Sequence, residues 1–449
     1  MALNSKDNQL TRDSAKDLNI GVIGLGYVGL TLGIAAANSG IVTYGVEINP
    51  LIKQSLSQNK AHFFEPGLDD LIEDLNNRKF FCVEQFPKDV EFDAFVITVG
   101  TPLVKGEKEP NMSYIKSALE SLADVYTGNE LIILRSTVAV GTTRNVVIPT
   151  LSSLCGKPDS EILASMCPER TVEGKAVEEL ATLPQVISGN NDESLHIARE
   201  VFGRITPSLI EVESLEAAEL TKLYCNTYRD IMFAVGNVFC MAAQEFGVDG
   251  SKIIEAANED YARSNICKPG FVAGPCLEKD AYILTSNMPE SSTRDFILKA
   301  RAYNESLEDM VVGWVARNLP RGSKIALSGM AFKGVPETSD LRGSSSVNIA
   351  RKLKEAGFVL KLHDFVAYES ELKDLELGEV LDNLDEACKE VEALIVLNNH
   401  ANYKNVTARD IKRGDDLLVL DTWSVCDGLR HELRVDTLGT VNIAKEGDR

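Results

Sequence analysis

The sequence is short of the residues that mark several whole classes of protein. Its 449 residues hold two tryptophans and five histidines, and aromatic side chains make up only 6%. The histidines, at 62, 196, 363, 400 and 431, show no metal-ligand spacing. The nine cysteines (82, 155, 167, 225, 240, 267, 276, 388, 426) are odd in number and contain no CxxC pair. That pattern speaks against both a zinc centre and a disulfide framework, so reduced thiols and no metal are expected. No apolar run reaches the roughly 20 residues of a membrane span, and the polar start from Met1 to Asp17 has no signal-peptide core. A cytoplasmic protein is expected. Positive charge is scarce too: 46 Lys and Arg against 67 Asp and Glu leave a formal charge of −21. Nucleic acid and anionic membrane both need a basic footprint, so neither is an expected partner.

What is present is an ordinary globular composition, 44% apolar and 25% charged, in a chain long enough for two or three domains. Residues 1–17 read as a disordered tail. A strand over Leu18–Ile23 then runs into Gly24-Leu25-Gly26-Tyr27-Val28-Gly29 and a small apolar helix over Leu30–Ser39. This is GxGxxG between strand and helix, where Gly24 permits the turn, Gly26 the approach of a diphosphate and Gly29 close packing. A second strand, Ile41–Val46, ends at Glu47, where a carboxylate accepts from both ribose hydroxyls and repels a 2′-phosphate. NAD is expected rather than NADP. The alternation continues with strands at Ala94–Val99, Leu131–Arg135 and Glu161–Ser165. They end in Gly100-Thr101-Pro102, Ser136-Thr137-Val138 and Met166-Cys167-Pro168-Glu169-Arg170. Ligands of doubly wound sheets bind at such strand ends, although Thr137 reads equally as the cap of a helix.

From Glu211 the pattern changes. The stretch Ala217–Phe246 lacks Pro and reads as one helix of about 30 residues. It carries apolar residues on more than one face, so it bridges two domains and offers a face to a second subunit, which predicts a homodimer or higher oligomer. Lys222 and Asn226 share one of its faces. The loop Lys268–Asp280 follows, with Gly270 and Gly274 for unusual backbone angles and Pro269 and Pro275 for rigidity. A helix is expected from about Lys279, with Cys276 near its start. There the helix dipole and the Lys279 ammonium favour thiolate, and Asp280 lies one turn on, able to steer a base or a water; a small buried cysteine is the bland alternative. A helix over Ser292–Asn318 and a second α/β unit complete the chain. Its strands fall at Lys324–Gly329, Val359–His363, Ala393–Leu397 and Leu417–Leu420, forming a second, smaller parallel sheet without GxGxxG. The fold class is thus α/β, with two Rossmann-like doubly wound parallel-sheet domains (18–210 and 319–449) joined by a long central helix within 211–318.

Taken together, Gly24–Leu30, Ser136-Thr137-Val138, Pro168-Glu169-Arg170, Lys222 with Asn226, Gly274–Asp280 and Gly329-Met330-Ala331-Phe332-Lys333 with Thr338, Asp340 and Arg342 resemble the UDP-glucose/GDP-mannose dehydrogenase family. The resemblance implies a four-electron, NAD-dependent oxidation of a nucleotide-sugar C6 alcohol to the carboxylate through a thiohemiacetal and thioester on Cys276. It implies Lys222 and Asn226 as oxyanion stabilisers, and Asp280, Glu169 and Thr137 as residues that orient or activate water. Gly24, Gly26, Tyr27, Val28, Gly29, Glu47, Thr101, Thr137, Lys279 and Arg342 fall to the dinucleotide. Glu169, Arg170, Glu173, Lys222, Asn226, Arg263, Phe271, Gly274, Phe332 and Lys333 fall to the sugar nucleotide.

The departures concern the sugar. Pro275 stands where N-acetylhexosamine enzymes commonly have His, and Lys279 is typical of the UDP-glucose and GDP-mannose branches. Arg263 with Asn265 and Ile266 resembles the N-acetylmannosamine branch, and Asp421-Thr422-Trp423 carries Trp where many relatives have Arg. An N-acetylated UDP-hexosamine is the favoured reading, with UDP-glucose or GDP-mannose as alternatives. A two-electron dehydrogenase of the 3-hydroxy acid or 6-phosphogluconate type would need neither Cys276 nor the second sheet, and a binding protein with a dead site would not keep Cys276, Lys222, Asn226 and Asp280.

Overall fold

A computed structural model describes residues 17–104, 107–411 and 417–441. Apart from Asp17, the tail expected at 1–17 lies outside the described residues. The first sheet comprises β1 (Asn19–Ile23), β2 (Val42–Val46), β3 (Phe80–Val83), β4 (Ala94–Ile97), β5 (Leu131–Leu134) and β6 (Ala164–Met166). Their order is β3-β2-β1-β4-β5-β6, and every pairing is parallel. Helices cover both faces, so β4 (Ala-Phe-Val-Ile) and β5 (Leu-Ile-Ile-Leu) are apolar without alternation and wholly buried. The chain order reverses between β1 and β4, which opens a crevice at the carboxyl ends of those strands. Helix α1 (Tyr27–Asn38) starts there, three residues before the expected Leu30. The strand expected at Glu161–Ser165 is displaced, because Asp159–Glu161 closes into a 3₁₀ turn and pairing begins at Ala164. Two short parallel strands, β7 (Gln185–Ile187) and β8 (Leu209–Glu211), lead to the centre of the molecule.

The long helix α2 spans Leu215–Glu245, 31 residues, and starts where the Ser214 side chain accepts the Ala217 amide. Helices α3 (Leu277–Thr285) and α4 (Ser292–Asn318) pack along it. The second sheet follows: β9 (Lys324–Ser328), β10 (Val359–His363), β11 (Glu379–Val380), β12 (Ala393–Val396), β13 (Leu418–Asp421) and β14 (Val435–Thr437), in the order β11-β10-β9-β12-β13-β14. This is the order of the first sheet over again, with six strands rather than a smaller set. The edge strands β11 and β14 have two and three residues, too few to show a period in sequence. Among the described residues no helix is long and apolar enough to cross a membrane, and no group of His, Cys, Asp or Glu could hold a metal ion.

Candidate active site

The crevice of the first sheet is shaped by its glycines. Gly24 has φ +88°, and a Cβ on Gly29 would lie 1.9 Å from the Gly24 carbonyl oxygen, so α1 can start against β1 only without one. A Cβ on Gly26 would meet nothing within 4 Å. That open space faces the amino end of α1, whose first turn has neither an acidic residue nor a side-chain cap. It suits a diphosphate, held by the Gly26, Tyr27 and Val28 backbone. Buried Glu47 sits beside this turn, its Oε2 accepting from the Leu25 amide at 2.7 Å and its Oε1 from those of Ile48 and Asn49 at 2.8 Å. The donors and the space therefore fit a dinucleotide with a free ribose 2′-hydroxyl. Further along the strand ends, the Thr101 hydroxyl donates to the Thr137 carbonyl at 2.5 Å and joins the loops after β4 and β5. Thr137 caps no helix, since the next one begins after Thr142.

The loop before α3 packs against the second α/β unit. Its two glycines are seats for aromatic rings from the second α/β unit. A Cβ on Gly270 would come 2.6 Å from the Trp423 indole, and one on Gly274, at φ +95°, 2.5 Å from the Phe332 ring. The Gly274 amide donates to the Gly343 carbonyl at 2.8 Å. Helix α3 begins at Leu277 rather than Lys279, which makes Cys276 its N-cap. Asp280 is buried on the first turn. Asn226 Nδ2 donates to its Oδ2 at 2.6 Å, and Lys279 Nζ lies 3.2 Å from its Oδ1. Lys222, one turn before Asn226 on α2, is buried and makes no hydrogen bond or ion pair among the described residues.

Cys276 is exposed as a residue, and protein packed around its sulfur still desolvates the thiol. That surrounding mass desolvates it and raises its pKa. Lys222 pulls the value down, Asp280 pushes it up, Lys279 pulls it down and Glu173 pushes it up, and the net direction is upward. The sequence-based expectation that Lys279 favours the thiolate is therefore corrected: burial and the carboxylates of Asp280 and Glu173 outweigh Lys222 and Lys279.

Glu169 lies at the end of β6. Burial alone would raise its pKa, yet the Arg135 guanidinium, the Thr171 amide and Lys222 bring it below the usual carboxylate range. Its Oε1 accepts from the Arg170 and Thr171 amides at 2.7 and 2.6 Å, and its Oε2 binds Arg135. Four residues on, Glu173 meets the second unit. Its carbonyl accepts from Lys333 Nζ at 2.7 Å, its Oε2 from the Thr338 hydroxyl at 3.4 Å, and its Oε1 lies 3.8 Å from Arg342. Burial pushes the Glu173 carboxyl up to about 7; Asp340 adds to this, while Arg342 and Lys333 oppose it. A cavity of about 470 Å³ lies here between the two units, lined by Gly26, Tyr27, His62, Glu173, Thr338 and Arg342. Arg342 is held by Asp340 through Nε at 2.9 Å and Nη2 at 2.6 Å, and it lines the same cavity as Gly26.

Residues 18–206 match the NAD binding domain of the UDP-glucose/GDP-mannose dehydrogenase family, residues 216–306 its central domain and residues 326–428 its UDP binding domain. The chain belongs to this family. Its cofactor is NAD, and it is a nucleotide-sugar dehydrogenase. It is similar to the UDP-N-acetyl-D-mannosamine dehydrogenase of Methanocaldococcus jannaschii, 31% identical over 412 residues, 90% of this chain and 92% of that one. The enzyme of the same name from Campylobacter jejuni is 31% identical over 404 residues, 86% of this chain and 96% of that one. Among solved structures, the UDP-D-ManNAc dehydrogenase of Pyrococcus horikoshii superposes with a TM-score of 0.83 at 25% identity, covering 95% of this chain and 100% of that one.

Three residues that the family resemblance gave to the sugar nucleotide are otherwise engaged. Phe271 is buried in the apolar core under the second sheet, because the loop must anchor itself before it can present Cys276. Arg263 is exposed and lies over the Tyr261 ring at 5.0 Å. The Arg170 guanidinium donates to the Pro184 carbonyl, within the first α/β unit. Two site residues went unread in the sequence. Arg135 directly follows β5, fully buried, and binds Glu169 together with the Cys167 carbonyl and Gln185. A charge closing an otherwise apolar strand was a visible signal for it. Glu65 accepts from the Tyr27 hydroxyl and, at 2.7 Å each, from the Gly174 and Ala176 amides, tying the glycine turn to the Glu173 loop. Ahead of Pro66-Gly67 it reads simply as a turn residue.

Proposed function

We propose that the protein oxidises the C6 alcohol of an N-acetylated UDP-hexosamine, of the N-acetylmannosamine type, to the uronate, and that Cys276 carries the intermediate. The observation that carries this reading is the placement of Cys276: an exposed cysteine at the start of α3, acted on by Lys222, Asp280, Lys279 and by Glu173, which itself lines the cavity that holds Gly26. NAD+ bound at the glycine turn would supply the oxidant, two equivalents in succession each accepting one hydride. Lys222 and Asn226, one turn apart on α2, stabilise the negative charge on the C6 oxygen as its proton departs. The aldehyde so formed is attacked by the Cys276 sulfur. A carbon–sulfur bond forms and the thiol proton passes to the aldehyde oxygen, giving a thiohemiacetal. Loss of the second hydride and of that hydroxyl proton leaves a thioester. Water then adds to its carbonyl, the carbon–sulfur bond breaks, and the carboxylate and free thiol result. Asp280, fixed by Asn226, orients that water. Glu169, whose oxygens are occupied by Arg135 and two amides, acts by shaping the loop that carries Glu173.

The sugar assignment rests on the two relatives named for UDP-N-acetyl-D-mannosamine, at 31% identity over most of both chains. We further place the enzyme in the cytoplasm, as a homodimer through the outward face of α2, where Tyr224, Tyr228, Val238 and Phe239 are exposed. The test is the NADH yield per sugar over a panel of UDP- and GDP-sugars, with Cys276→Ser alongside. Two NADH per UDP-N-acetylmannosamine are expected from the parent. The serine variant should lose several orders of magnitude in turnover and keep dinucleotide binding. One NADH per sugar, or near-parental turnover of Cys276→Ser, overturns the covalent mechanism.

A further inference from the structure

Behind the Cys276 loop runs a buried chain of polar side chains that none of the steps above uses. Asn237 of α2 grips Gly270 twice: its Oδ1 accepts from the Gly270 amide at 2.9 Å, and its Nδ2 donates to the Gly270 carbonyl at 3.0 Å. The same Nδ2 donates to Asn304 Oδ1 at 3.0 Å. Asn304 in turn donates to the carbonyl and the carboxylate of Asp230, at 2.9 and 2.8 Å. Arg301, one turn before Asn304 on α4, closes the chain. Its Nη1 donates to Asp230 Oδ1 at 2.8 Å and to the Leu277 carbonyl at 3.0 Å, and its Nη2 to the Val272 carbonyl at 3.0 Å. Asn237, Asp230, Asn304 and Arg301 are each no more than 2% exposed.

A loop built on Pro269, Gly270, Gly274 and Pro275 has few amides and side chains with which to fix itself. Here it is fixed from outside, at Gly270, Val272 and Leu277, on both sides of Cys276. Stability is a weak reason for such a device, since apolar residues commonly replace a buried Arg–carboxylate pair at no loss. Geometry is the better reason: displacing a reacting group by about 1 Å costs about 10²-fold in rate. We propose that Arg301 and Asn237 are positioning residues that hold the Cys276 loop in register with the ammonium groups of Lys222 and Lys279. The proposal rests on the reading of Cys276 as the nucleophile.

Its test uses the full-length enzyme with Arg301→Lys, which keeps the charge but cannot bridge two carbonyls and a carboxylate. Asn237→Ser leaves the Asp230–Arg301 pair intact and serves if the first variant does not fold. Sulfur is needed only after the aldehyde has formed. The first NADH in a single turnover should therefore stay within about threefold of the parent, while the second slows about 10²-fold and aldehyde escapes to a hydroxylamine trap. Equal slowing of both oxidations, or no slowing in a folded variant, overturns the proposal. Alkylation of Cys276 by iodoacetamide without sugar, followed by the mass of its peptide, gives an arm independent of turnover. Its rate at neutral pH should rise several-fold as the loosened sulfur is rehydrated, because burial is the largest influence on its thiol in the parent, and a rate unchanged or lowered overturns the proposal. If the parent oxidises no nucleotide sugar, the functional reading fails, and the alkylation arm still decides the positioning role.

Discussion

Asn226 and Asp280, 54 positions apart in the chain and on different helices, meet through a 2.6 Å hydrogen bond, Nδ2 to Oδ2, inside the protein. The bond turns one carboxylate oxygen toward α2 and leaves the other to Lys279 at 3.2 Å. Helix α3, and with it Cys276, is thereby set in register with the face of α2 that carries Lys222.

Removal of that amide should cost rate rather than fold. Asn226→Ala is expected to lower kcat about 10²- to 10³-fold, the size of effect seen when one oxyanion donor is lost, with KM for the sugar little changed. Steady-state kinetics on the nucleotide sugar checks this. A change confined to KM would assign Asn226 to ground-state binding instead.

Cofactor choice follows from Glu47, whose buried carboxylate stands beside the glycine turn. An unfavourable contact with a 2′-phosphate is worth at least about 1–2 kcal/mol at such a site, so kcat/KM for NAD+ should exceed that for NADP+ by about tenfold or more. Glu47→Gln should narrow the gap, and equal values for the two cofactors in the parent would refute the assignment.

Glu173 predicts a pH dependence of stability. Its carboxyl titrates at about 7 in the folded protein against 4.5 ordinarily, so between those values the folded state holds a proton that the unfolded chain has lost. The stability it contributes is complete below about pH 4.5 and is lost as pH rises to about 7, on the order of 3 kcal/mol. Glu173→Gln cannot lose that proton. The melting temperature of the parent relative to the variant should therefore fall across this window, and a constant difference would show that Glu173 does not titrate there.

The apolar face of α2 predicts association. Tyr228 is 64% exposed and Phe239 50%, on a helix whose opposite side is buried throughout its length. Light scattering at micromolar concentration should give at least twice the chain mass. Paired Tyr228→Glu and Phe239→Glu substitutions should dissociate the protein, whereas a parent that scatters as a single chain removes the dimer.

Much of this protein is legible in its sequence because the signals are local. A glycine turn between an apolar strand and a helix, an acidic residue at the next strand end, a 31-residue stretch free of proline and a cysteine inside a Gly-Pro loop each follow from backbone angles, periodicity and short-range sterics. The strands β4, β5 and β12 announce themselves as apolar runs because both their faces are covered. Tertiary structure alone decided the state of the cysteine. Nothing in the run Pro275-Cys276-Leu277 says that burial and the carboxylates of Asp280 and Glu173 would together outweigh two lysines and push the thiol's pKa up. It alone also paired Arg135 with Glu169, seated Phe332 on Gly274 and Trp423 on Gly270, and threaded Asn237, Asn304, Asp230 and Arg301 into one buried chain. Those relationships join residues tens to more than a hundred positions apart. Desolvation and charge are summed over neighbours that only the folded chain brings together, and a sequence read in windows has no access to that sum.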